Sequence, residues 1–313
     1  MTAKEDYDDA MEDLATLLDK HSSRHKVFRV LDALPWFFPP YVEGANNPVV
    51  PEGYKVALIV DTETTGLEKT AKIIEIACLQ VIYLPDFSHV QPISIYSDLQ
   101  DPGEPLSEDV KRVTGLTDEM LKGKKIDGAM VEAMLASANI IIAHNAGFDC
   151  PLIERDYPAA RGKRWACSAN EIPWKEWGCP SASMQVIAWW MSRFYRAHRA
   201  VGDVHALLSI LCTGEVPGRT SNLQNSLFAQ LVASARKRSF KVYANGSPFD
   251  KKDILKERGY RWDADGKVWS KEFRNNDAPE GQPGPVDAEV LWLREHASPR
   301  PTVQEFTAKE RYR

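Results

Sequence analysis

The spacing of apolar residues along the chain predicts where its helices and strands lie. Apolar side chains recur at helical spacing over residues 1–20, which predicts an amphipathic helix, and residues 25–34 predict a second, shorter one. Five prolines lie between positions 35 and 51. Because proline cannot continue a helix or a central strand, this stretch is interpreted as an extended connector.

Short apolar runs in the middle of the chain predict the strands of a sheet. These runs, rich in Val, Ile and Leu, lie at 54–64, 72–83, 91–96 and 139–145. Helical patterns lie at 105–121 (with Ser107 as a candidate N-cap), 127–138, 148–156 and 184–197, and a last one begins near Gly202 or Asp203. Strands followed by helices in this order predict an α/β fold, a mixed sheet with helices packed on its faces.

The C-terminal part of the chain has a different pattern, which follows a stretch rich in Gly, Pro and Ser at 214–222. A helix with a basic end is predicted at 222–238, and a small α+β module with a polar tail after it. The expected elements of the module are a strand at 240–244, a helix at 250–259, a hairpin turning at Asp265 and Gly266, and a helix at 288–296. The predicted divisions of the chain are a helical extension and connector (1–52), a main domain (53–213), a linker with a helix (214–238) and a C-terminal α+β module (239–313).

Composition narrows the class of protein. A net charge of −5 excludes a protein that simply coats polyanions, which would be strongly basic, but it suits an enzyme whose acidic site is neutralised by cations. The five cysteines include no Cys-x-x-Cys pair, which predicts reduced thiols rather than a disulfide frame or a zinc site. The absence of a long apolar run and of a signal-peptide pattern predicts no membrane span and a cytoplasmic location.

The strongest chemical signal is a pair of carboxylates at the end of the first apolar run. Asp61 and Glu63 lie two positions apart, and residues at that spacing on a strand point to the same face. Buried like charges repel, and a hard divalent cation with oxygen ligands relieves that repulsion. The alternative is a solvated acidic turn, against which the strongly apolar residues before Asp61 argue.

Two later segments place further polar residues where strands end or helices begin. His144, Asn145 and Asp149 follow an apolar strand, although ordinary capping of the next helix, taken alone, would be the better explanation of the first two. His198 and Asp203 lie five positions apart, and they can face one cleft if a helix opens near Asp203 while His198 lies on the preceding loop. Taken alone, this spacing says little about function.

Together and in this order, the three segments resemble the DEDDh family of 3′→5′ exonucleases, which includes the proofreading epsilon subunit of bacterial DNA polymerase III. The first family motif, Asp-x-Glu-Thr-Thr-Gly, spans 61–66 and is followed by Leu67. The second, His-Asn-Ala-x-Phe-Asp, spans 144–149, and the third runs from His198 to Asp203. The resemblance covers about half of the chain. A Trp-rich stretch between the second and third motifs is more similar to stand-alone epsilon-like bacterial exonucleases.

This resemblance implies a fold and a role for each motif residue. The fold would be RNase H-like, a mixed five-stranded sheet with helices on both faces. Asp61, Glu63, Asp149 and Asp203 would coordinate two divalent ions, Mg²⁺ or Mn²⁺, about 4 Å apart, and His198 would be the general base. The implied substrate-binding residues are Thr64, Thr65, Leu67, His144, Asn145 and Phe148.

The implied reaction releases nucleoside 5′-monophosphates from the 3′ end of DNA, preferably single-stranded, in repair or proofreading. The partner would be a nucleic acid with a free 3′ end, with DNA favoured over RNA. Two alternatives stay open. One is an RNA-directed exoribonuclease, since no motif here reads the 2′-hydroxyl group. The other is a non-catalytic nucleic-acid-binding protein, against which the five intact motif residues argue.

Three further features each have two interpretations. Residues 224–228 resemble the pentapeptide that binds the bacterial sliding clamp, which would add a clamp or polymerase as partner, but an ordinary amphipathic helix is favoured. Large aromatics in the C-terminal module suit either its core, which is favoured, or single-strand stacking; they are Tyr260, Trp262, Trp269 and Phe273. Arginines beside the third motif suit either phosphate contact or a solvated helix face; they are Arg193, Arg196 and Arg199.

Overall fold

A computed structural model describes residues 32–33, 48–212, 216–217, 223–264, 266–279 and 281–313. The helix predicted at 1–20 and most of the predicted boundary at 214–222 lie outside these residues. Asp32–Ala33 forms a two-residue strand (β1), so the prediction of a helix over 25–34 is wrong at its end. The proline at position 35 explains this, since it disfavours helical backbone just before it.

The larger sheet has five strands in the order β4-β3-β2-β5-β6. Its strands are β2 (Lys55–Thr64), β3 (Ile73–Tyr83), β4 (Val90–Leu99), β5 (Ile140–Ala143) and β6 (Trp165–Cys167). Neighbours among β2, β3 and β4 are antiparallel, whereas β5 is parallel to both β2 and β6. The predicted mixed five-stranded sheet of an RNase H-like fold is confirmed, although the three residues of β6 were too few to predict.

Alternation along the central strands sends their side chains into two separate cores. On one face, Ala57 and Ile59 pack with the helix Ala200–Cys212; on the other, Leu58 and Val60 pack with the helices Gly128–Ser137 and Ala146–Asp156. Every residue of β3 is buried, as expected of a strand covered on both faces. Each such Ile or Leu side chain contributes roughly 1.5–3 kcal/mol when it leaves water. The odd-numbered residues of β2 therefore face the helix that carries Asp203.

The helices of this part of the chain mostly follow the predicted pattern. In chain order they are α1 (Glu108–Thr114), α2 (Asp118–Leu121), α3 (Gly128–Ser137), α4 (Ala146–Asp156), α5 (Ser168–Glu171), α6 (Met184–Trp190), α7 (Ala200–Cys212) and α8 (Leu227–Ser234), with 3₁₀ turns at Pro158–Ala160 and Leu223–Asn225. The predicted N-cap is confirmed, because the Ser107 hydroxyl accepts a hydrogen bond from the amide of Val110 at 3.3 Å. No helix in the described part of the chain is long and apolar enough to cross a membrane.

The helix predicted over 184–197 is wrong in its second half. It ends at Trp190, and Ser192 has a left-handed backbone with φ of 61°. A two-residue strand, Arg193–Phe194 (β7), follows. A left-handed residue interrupts helical hydrogen bonding, so the chain from 192 to 199 forms a loop that leads to α7.

Residues 224–228 are part of the fold, as the helix interpretation predicts. The side chain of Ser226 caps α8 by accepting a hydrogen bond from the amide of Ala229 at 3.2 Å. Leu227 and Phe228 are buried, and the Phe228 ring meets the ring of Tyr83 edge to face at 5.4 Å. A clamp-binding peptide needs its apolar side chains exposed, so this segment does not support a sliding clamp as partner.

A second, four-stranded sheet lies in the C-terminal part, in the order β11-β8-β10-β9. Its strands are β8 (Ser239–Tyr243), β9 (Arg261–Asp263), β10 (Val268–Phe273) and β11 (Thr302–Phe306); a 3₁₀ turn (Phe249–Lys251) and the helices α9 (Lys252–Glu257) and α10 (Pro285–His296) accompany them. The predicted α+β module is confirmed. Its core includes Val242, Leu255, Tyr260 and Leu293, with Trp269 and Phe273 packed against them. Trp262 is the exception to the core interpretation, since it is 52% exposed.

The predicted polar tail is wrong, because the end of the chain is ordered structure that contacts the larger sheet. Strand β11 pairs with β8, and beyond it the carbonyl of Ala308 accepts a hydrogen bond from the amide of Trp165 at 2.9 Å. Arg311 forms a buried ion pair with Glu171 at 2.8 Å. Tyr312 packs into the core beneath β5 and donates a hydrogen bond to the same carboxylate. The C-terminal module is therefore attached to the larger sheet at its last residues.

Candidate active site

Three of the predicted metal ligands lie together at the end of β2. Asp61 and Glu63 share the face of the strand that packs against α7, and Asp203 lies in the first turn of that helix. Carboxylate oxygens of the three residues all lie within 4.8 Å of one another. Two features bring these carboxylates to one point. Asp61 and Glu63 lie two residues apart on the strand, and the helix that carries Asp203 begins opposite them.

Asp149 approaches from the other face of the sheet. It lies in the first turn of α4, is buried, and accepts a hydrogen bond from the hydroxyl of Thr62 at 2.8 Å. Thr62 points away from Asp61 and Glu63, as alternation along β2 requires. Asp149 is not within the 4.8 Å cluster, but it lines the same cleft.

All four carboxylates open into a cleft of about 400 Å³. The residues that line it come from β2, the start of α4, α5, the start of α6 with the segments on either side of it, and the first turn of α7; they are Asp61, Thr62, Glu63, His144, Asn145, Phe148, Asp149, Ala169, Ala182, Ser183, Met184, Gln185, Tyr195, Ala197, His198 and Asp203. The five residues of the predicted metal-and-base constellation are therefore all on the wall of one opening.

Burial and mutual repulsion make this cluster unusually hard to ionise. Burial, together with the charges of Asp203, Glu75 and Asp149, raises the pKa of Glu63 from 4.5 to about 8. Burial and the same neighbours also raise the pKa of Asp61 well above its ordinary value, and burial raises those of Asp149 and Asp203. A group of carboxylates whose charged forms are disfavoured is a site that bound cations would stabilise.

Asp203 is fixed by two hydrogen bonds that the sequence did not reveal. The hydroxyl of Tyr195 donates to Asp203 Oδ1 and the amide of Arg199 donates to Oδ2, both at 3.0 Å. Both bonds favour the ionised carboxylate and so partly oppose the effect of burial on its pKa. Tyr195 lies in the segment that the sequence assigned to a helix, where its hydroxyl could not be placed.

A buried ion pair supports the loop that carries His198. Arg199 contacts the Glu75 carboxylate through Nε at 3.1 Å and Nη2 at 3.0 Å, and the amide of Ala200 donates to it at 3.3 Å. Glu75 is 2% exposed and lies opposite Glu63 in the register of β2 and β3. Arg199 is thus directed inward, which contradicts both the phosphate-contact and the solvated-face interpretations for this arginine. The sequence did contain one signal for this ion pair, since Glu75 is a carboxylate inside the otherwise apolar run of β3.

His198 is exposed and lines the cleft next to Asp203. Its backbone is left-handed, with φ of 66°, a conformation that is uncommon outside glycine but several times more frequent for histidine, asparagine and aspartate than for other residues. His205, the other histidine of this region, is buried, does not line the cleft, and has its pKa lowered to about 4 by burial. The geometry therefore favours His198 over His205 as a group that could exchange protons with a molecule in the cleft.

The predicted substrate-binding residues fall into two groups. His144, Asn145 and Phe148 line the cleft, whereas Thr64, Thr65 and Leu67 do not. His144 is held by Ser168 at 2.7 Å and by the carbonyl of Ala182 at 2.8 Å, and burial lowers its pKa to about 4. It is therefore neutral near pH 7 and links the end of β5 to the opposite wall.

The turn after β2 carries the second group. The Thr64 hydroxyl donates to the carbonyl of Gly66 at 2.6 Å, and that of Thr65 accepts from the amide of Lys72 at 3.0 Å. The side chain of Leu67 is 87% exposed. The two threonines stabilise the turn, and Leu67 is left free to contact another molecule.

Comparison with known proteins agrees with this geometry. Residues 58–166, which include Asp61, Glu63 and Asp149, match the RNase_T family of exonucleases. A PolC-type DNA polymerase III of Halalkalibacterium halodurans is 36% identical over 96 residues, 29% of this chain and 6% of that protein. The same enzyme of Thermotoga maritima is 31% identical over 159 residues, 43% of this chain and 11% of that protein. The matched segment is thus a small part of these relatives.

Solved exonuclease structures are similar at lower identity. Exonuclease X in complex with 5′ overhanging duplex DNA is 22% identical, with 49% of this chain and 87% of that one covered and a TM-score of 0.37. A structure of exonuclease I is 19% identical, with 77% and 68% covered and a TM-score of 0.46. Residues 58–166 thus match an exonuclease domain, and the PolC-type relatives and the ordered motifs agree with a DEDDh-type exonuclease.

Proposed function

We propose that this chain hydrolyses DNA from its 3′ end, preferring single strands, and releases nucleoside 5′-monophosphates. The observation that carries the proposal is the convergence of Asp61, Glu63, Asp149 and Asp203 on one cleft that His198 also lines. The relatives named above are DNA polymerases, which favours DNA over RNA as substrate. A role in repair or proofreading, and association with a polymerase, are part of the same proposal.

The donor set fits two divalent cations, Mg²⁺ or Mn²⁺. Every candidate ligand is a carboxylate oxygen, which is what these hard cations prefer, and the pKa values of all four carboxyl groups are raised in the absence of a counter-charge. Asp61, Glu63 and Asp203 would hold one ion between them, and Asp149 would complete the site with Asp61. When bound, the cations supply the positive charge that stabilises the attacking and leaving oxygens of an in-line displacement.

The residues of the chain then perform the remaining steps. His198 accepts a proton from the attacking water, whose oxygen forms a bond to the terminal phosphorus atom. The bond from phosphorus to the preceding 3′ oxygen breaks, and that oxygen takes a proton from solvent. Imidazole suits the first role because its ordinary pKa lies near neutrality. Phe148 and Asn145 form the wall against which the terminal nucleotide lies.

The proposal is tested with oligonucleotides labelled at the 3′ or the 5′ end. Single-stranded DNA, duplex DNA and RNA are each incubated with Mg²⁺, Mn²⁺ or EDTA, beside Asp61→Ala. We expect labelled mononucleotides from the 3′ end of single-stranded DNA, abolished by EDTA and by the substitution. Undiminished activity of Asp61→Ala would refute the mechanism. Faster cleavage of RNA would support the exoribonuclease alternative, and cleavage of no substrate would support a non-catalytic binding protein.

A further inference from the structure

A second opening, of about 680 Å³, lies between the C-terminal module and the larger sheet, and we call it the basic groove. Six cationic residues from four segments line it: Lys241, Arg261, Lys271, Arg274, Arg311 and Arg313. Among the residues that the structure describes, the acidic ones on its wall are Asp263 and Glu272. In a chain with a net charge of −5, a concave surface with this excess of positive charge is a local feature that selects anionic ligands.

Only some of the cationic side chains in the basic groove form ion pairs within the protein. Arg311 is paired with Glu171, Arg313 with Glu154, and Lys271 approaches Glu289. By contrast, the Arg261 side chain is exposed and has no ion pair or hydrogen bond with any residue that the structure describes. The half-buried Lys241 side chain likewise has no ion pair or hydrogen bond among the described residues, and its Nζ lies 5.5 Å from the centroid of the Tyr243 ring.

Arg274 adds a further donor, since its Nη1 is buried without a hydrogen-bond partner among the described residues. An unpaired buried donor is costly unless a ligand satisfies it. This N–H group is therefore available to a ligand, although the guanidinium charge also interacts with the carboxylates of Glu171 and Glu272.

An aromatic side chain stands beside the free cations. Trp262 follows Arg261 on the edge strand β9, on the other face of the strand, and it is 52% exposed, whereas Tyr260, Trp269 and Phe273 pack in or against the core of the module. Its ring meets Trp269 at 5.5 Å and 60°, which holds its orientation. A half-exposed indole in a groove that is also lined by cations suits unpaired bases, which stack on the ring while their phosphates are neutralised.

The basic groove and the catalytic cleft share a wall. Gly147 and Asn170 line the groove, and their chain neighbours Phe148 and Ala169 line the cleft. Consecutive Cα atoms are only about 3.8 Å apart, so a single strand of nucleic acid that leaves the cleft over this wall enters the groove directly. The passage over Gly147 is unobstructed, since a Cβ built there would meet no atom within 4 Å and the space above it is open.

From these observations we infer that the basic groove is a second binding site for single-stranded nucleic acid, which holds the strand several nucleotides upstream of the 3′ end in the cleft. The inference rests on the proposed function, because it takes the cleft as the place of the 3′ end. It assigns the stacking contact to Trp262 and phosphate contacts to Arg261 and Lys241. An acidic peptide would use the cations equally well, but it would not require the exposed indole or the continuity with the cleft.

The test compares a long and a short substrate. The kcat/KM is measured for a single-stranded 20-mer and for a dinucleotide, and the Kd of the 20-mer is measured by anisotropy in EDTA, where no cleavage is expected. In Trp262→Ala, the ratio of kcat/KM for the 20-mer to that for the dinucleotide falls about tenfold, as loss of one stacked base requires. In Arg261→Ala, the slope of log Kd against log salt concentration decreases by about 0.7, as expected for one lost phosphate contact to a single strand.

Phe249→Ala and Lys256→Ala are the matched controls, since both residues are exposed on the same module outside the groove, and neither changes the ratio or the slope. A wild-type ratio retained in both Trp262→Ala and Arg261→Ala overturns the groove assignment while leaving the exonuclease intact. Absence of any cleavage by the wild type refutes the proposed function instead, and the anisotropy slopes then decide the groove separately. Tighter binding of a poly-glutamate peptide than of the 20-mer would overturn the choice of ligand.

Discussion

The two openings of this molecule carry opposite charge across a shared wall. The carboxylate cleft gathers four acidic groups, and burial together with their mutual repulsion raises the pKa of Glu63 to about 8. The basic groove gathers six cations, several of which are already paired with carboxylates of the fold. The cleft is therefore expected to depend on bound metal, whereas the positive charge of the groove is supplied by the protein itself.

The two openings also differ in how their side chains are held, and this difference suggests separate roles in the reaction and in substrate binding. The cleft groups lie on regular elements, β2 and the first turns of α4 and α7, where strand and helix geometry hold them in place. The free cations of the groove lie on the strands of a small sheet and reach outward on flexible stems. Rigid placement suits a reaction and flexible cations suit phosphate contact, so changes in the cleft should affect turnover and changes in the groove should affect binding.

The largest effect is expected for Asp61→Asn, which keeps the shape of the side chain but removes its charge. Turnover should fall by more than about 10³-fold, beyond the loss seen when one electrostatic stabiliser is removed. Thermal unfolding of the metal-free protein should occur at a higher temperature, because one of four repelling groups is gone. Single-stranded DNA should still bind in EDTA through the groove. Asp109→Asn, an exposed carboxylate on α1, is the control, and equal turnover in the two variants would contradict the role of the cleft.

A smaller loss is expected for His198→Gln. A missing general base costs about 10²- to 10⁴-fold in kcat, whereas metal and DNA binding should persist because the carboxylates are untouched. His89→Gln, an exposed histidine away from the cleft, is the matched control. Loss of Mn²⁺ affinity in His198→Gln equal to that in Asp203→Asn would mean that His198 is a ligand and not a base.

The support beneath the cleft is tested by Arg199→Met. This change leaves Glu75 buried without its partner, and the free energy of unfolding should fall by about 3 kcal/mol, the lower end for breaking a buried pair, since Arg199 is one-third exposed. Turnover should fall as well, because the pair with Glu75 anchors the loop that carries His198 and whose backbone amide at 199 donates to Asp203. Arg196→Met, on the same loop but exposed, should match the wild type in denaturant unfolding. A stable, fully active Arg199→Met would show that the ion pair has no positioning role.

The smallest effect is a pH dependence of stability to which the carboxylates of the cleft contribute. A carboxyl group whose pKa rises from 4.5 unfolded to about 8 folded binds more protons in the folded state between those values. Stability of the metal-free protein therefore falls as pH rises from 4.5 to 8. Added Mn²⁺ should raise Tm by several degrees at pH 8 and less at pH 6, where protons compete with the metal. Glu63→Gln should flatten the slope, and a wild-type slope in that variant would exclude Glu63 as its source.

How much of this could be predicted from the sequence depended on whether the signal was local. Strands β2 and β3 followed from continuous apolar runs, and the positions of Asp61 and Glu63 followed from alternation along β2. Strand β11 was missed because its residues are polar and mostly exposed, so no apolar pattern marks it. The helix predicted over 184–197 failed because a single left-handed residue, Ser192, ends the pattern without a proline or glycine.

The parts of the site that escaped prediction depend on contacts between distant segments. Glu75 and Arg199 are 124 positions apart, and only the packing of α7 on β3 brings them together. The basic groove likewise draws its lining from separate segments, among them the last residues of the chain, which looked like a polar tail. Local pattern identifies groups on one strand or helix, whereas pairing across the sheet requires the fold.

The most direct test of the carboxylate cluster as a metal site is a count of bound Mn²⁺ at pH 8 by equilibrium dialysis with a nonhydrolysable 3′ end present. The wild type should bind two Mn²⁺ ions per chain, and Asp61→Asn should bind at most one, weakly. Asp109→Asn should bind as the wild type does. Equal numbers and affinities for the wild type and Asp61→Asn, or no Mn²⁺ bound by the wild type, would contradict a metal-dependent cleft.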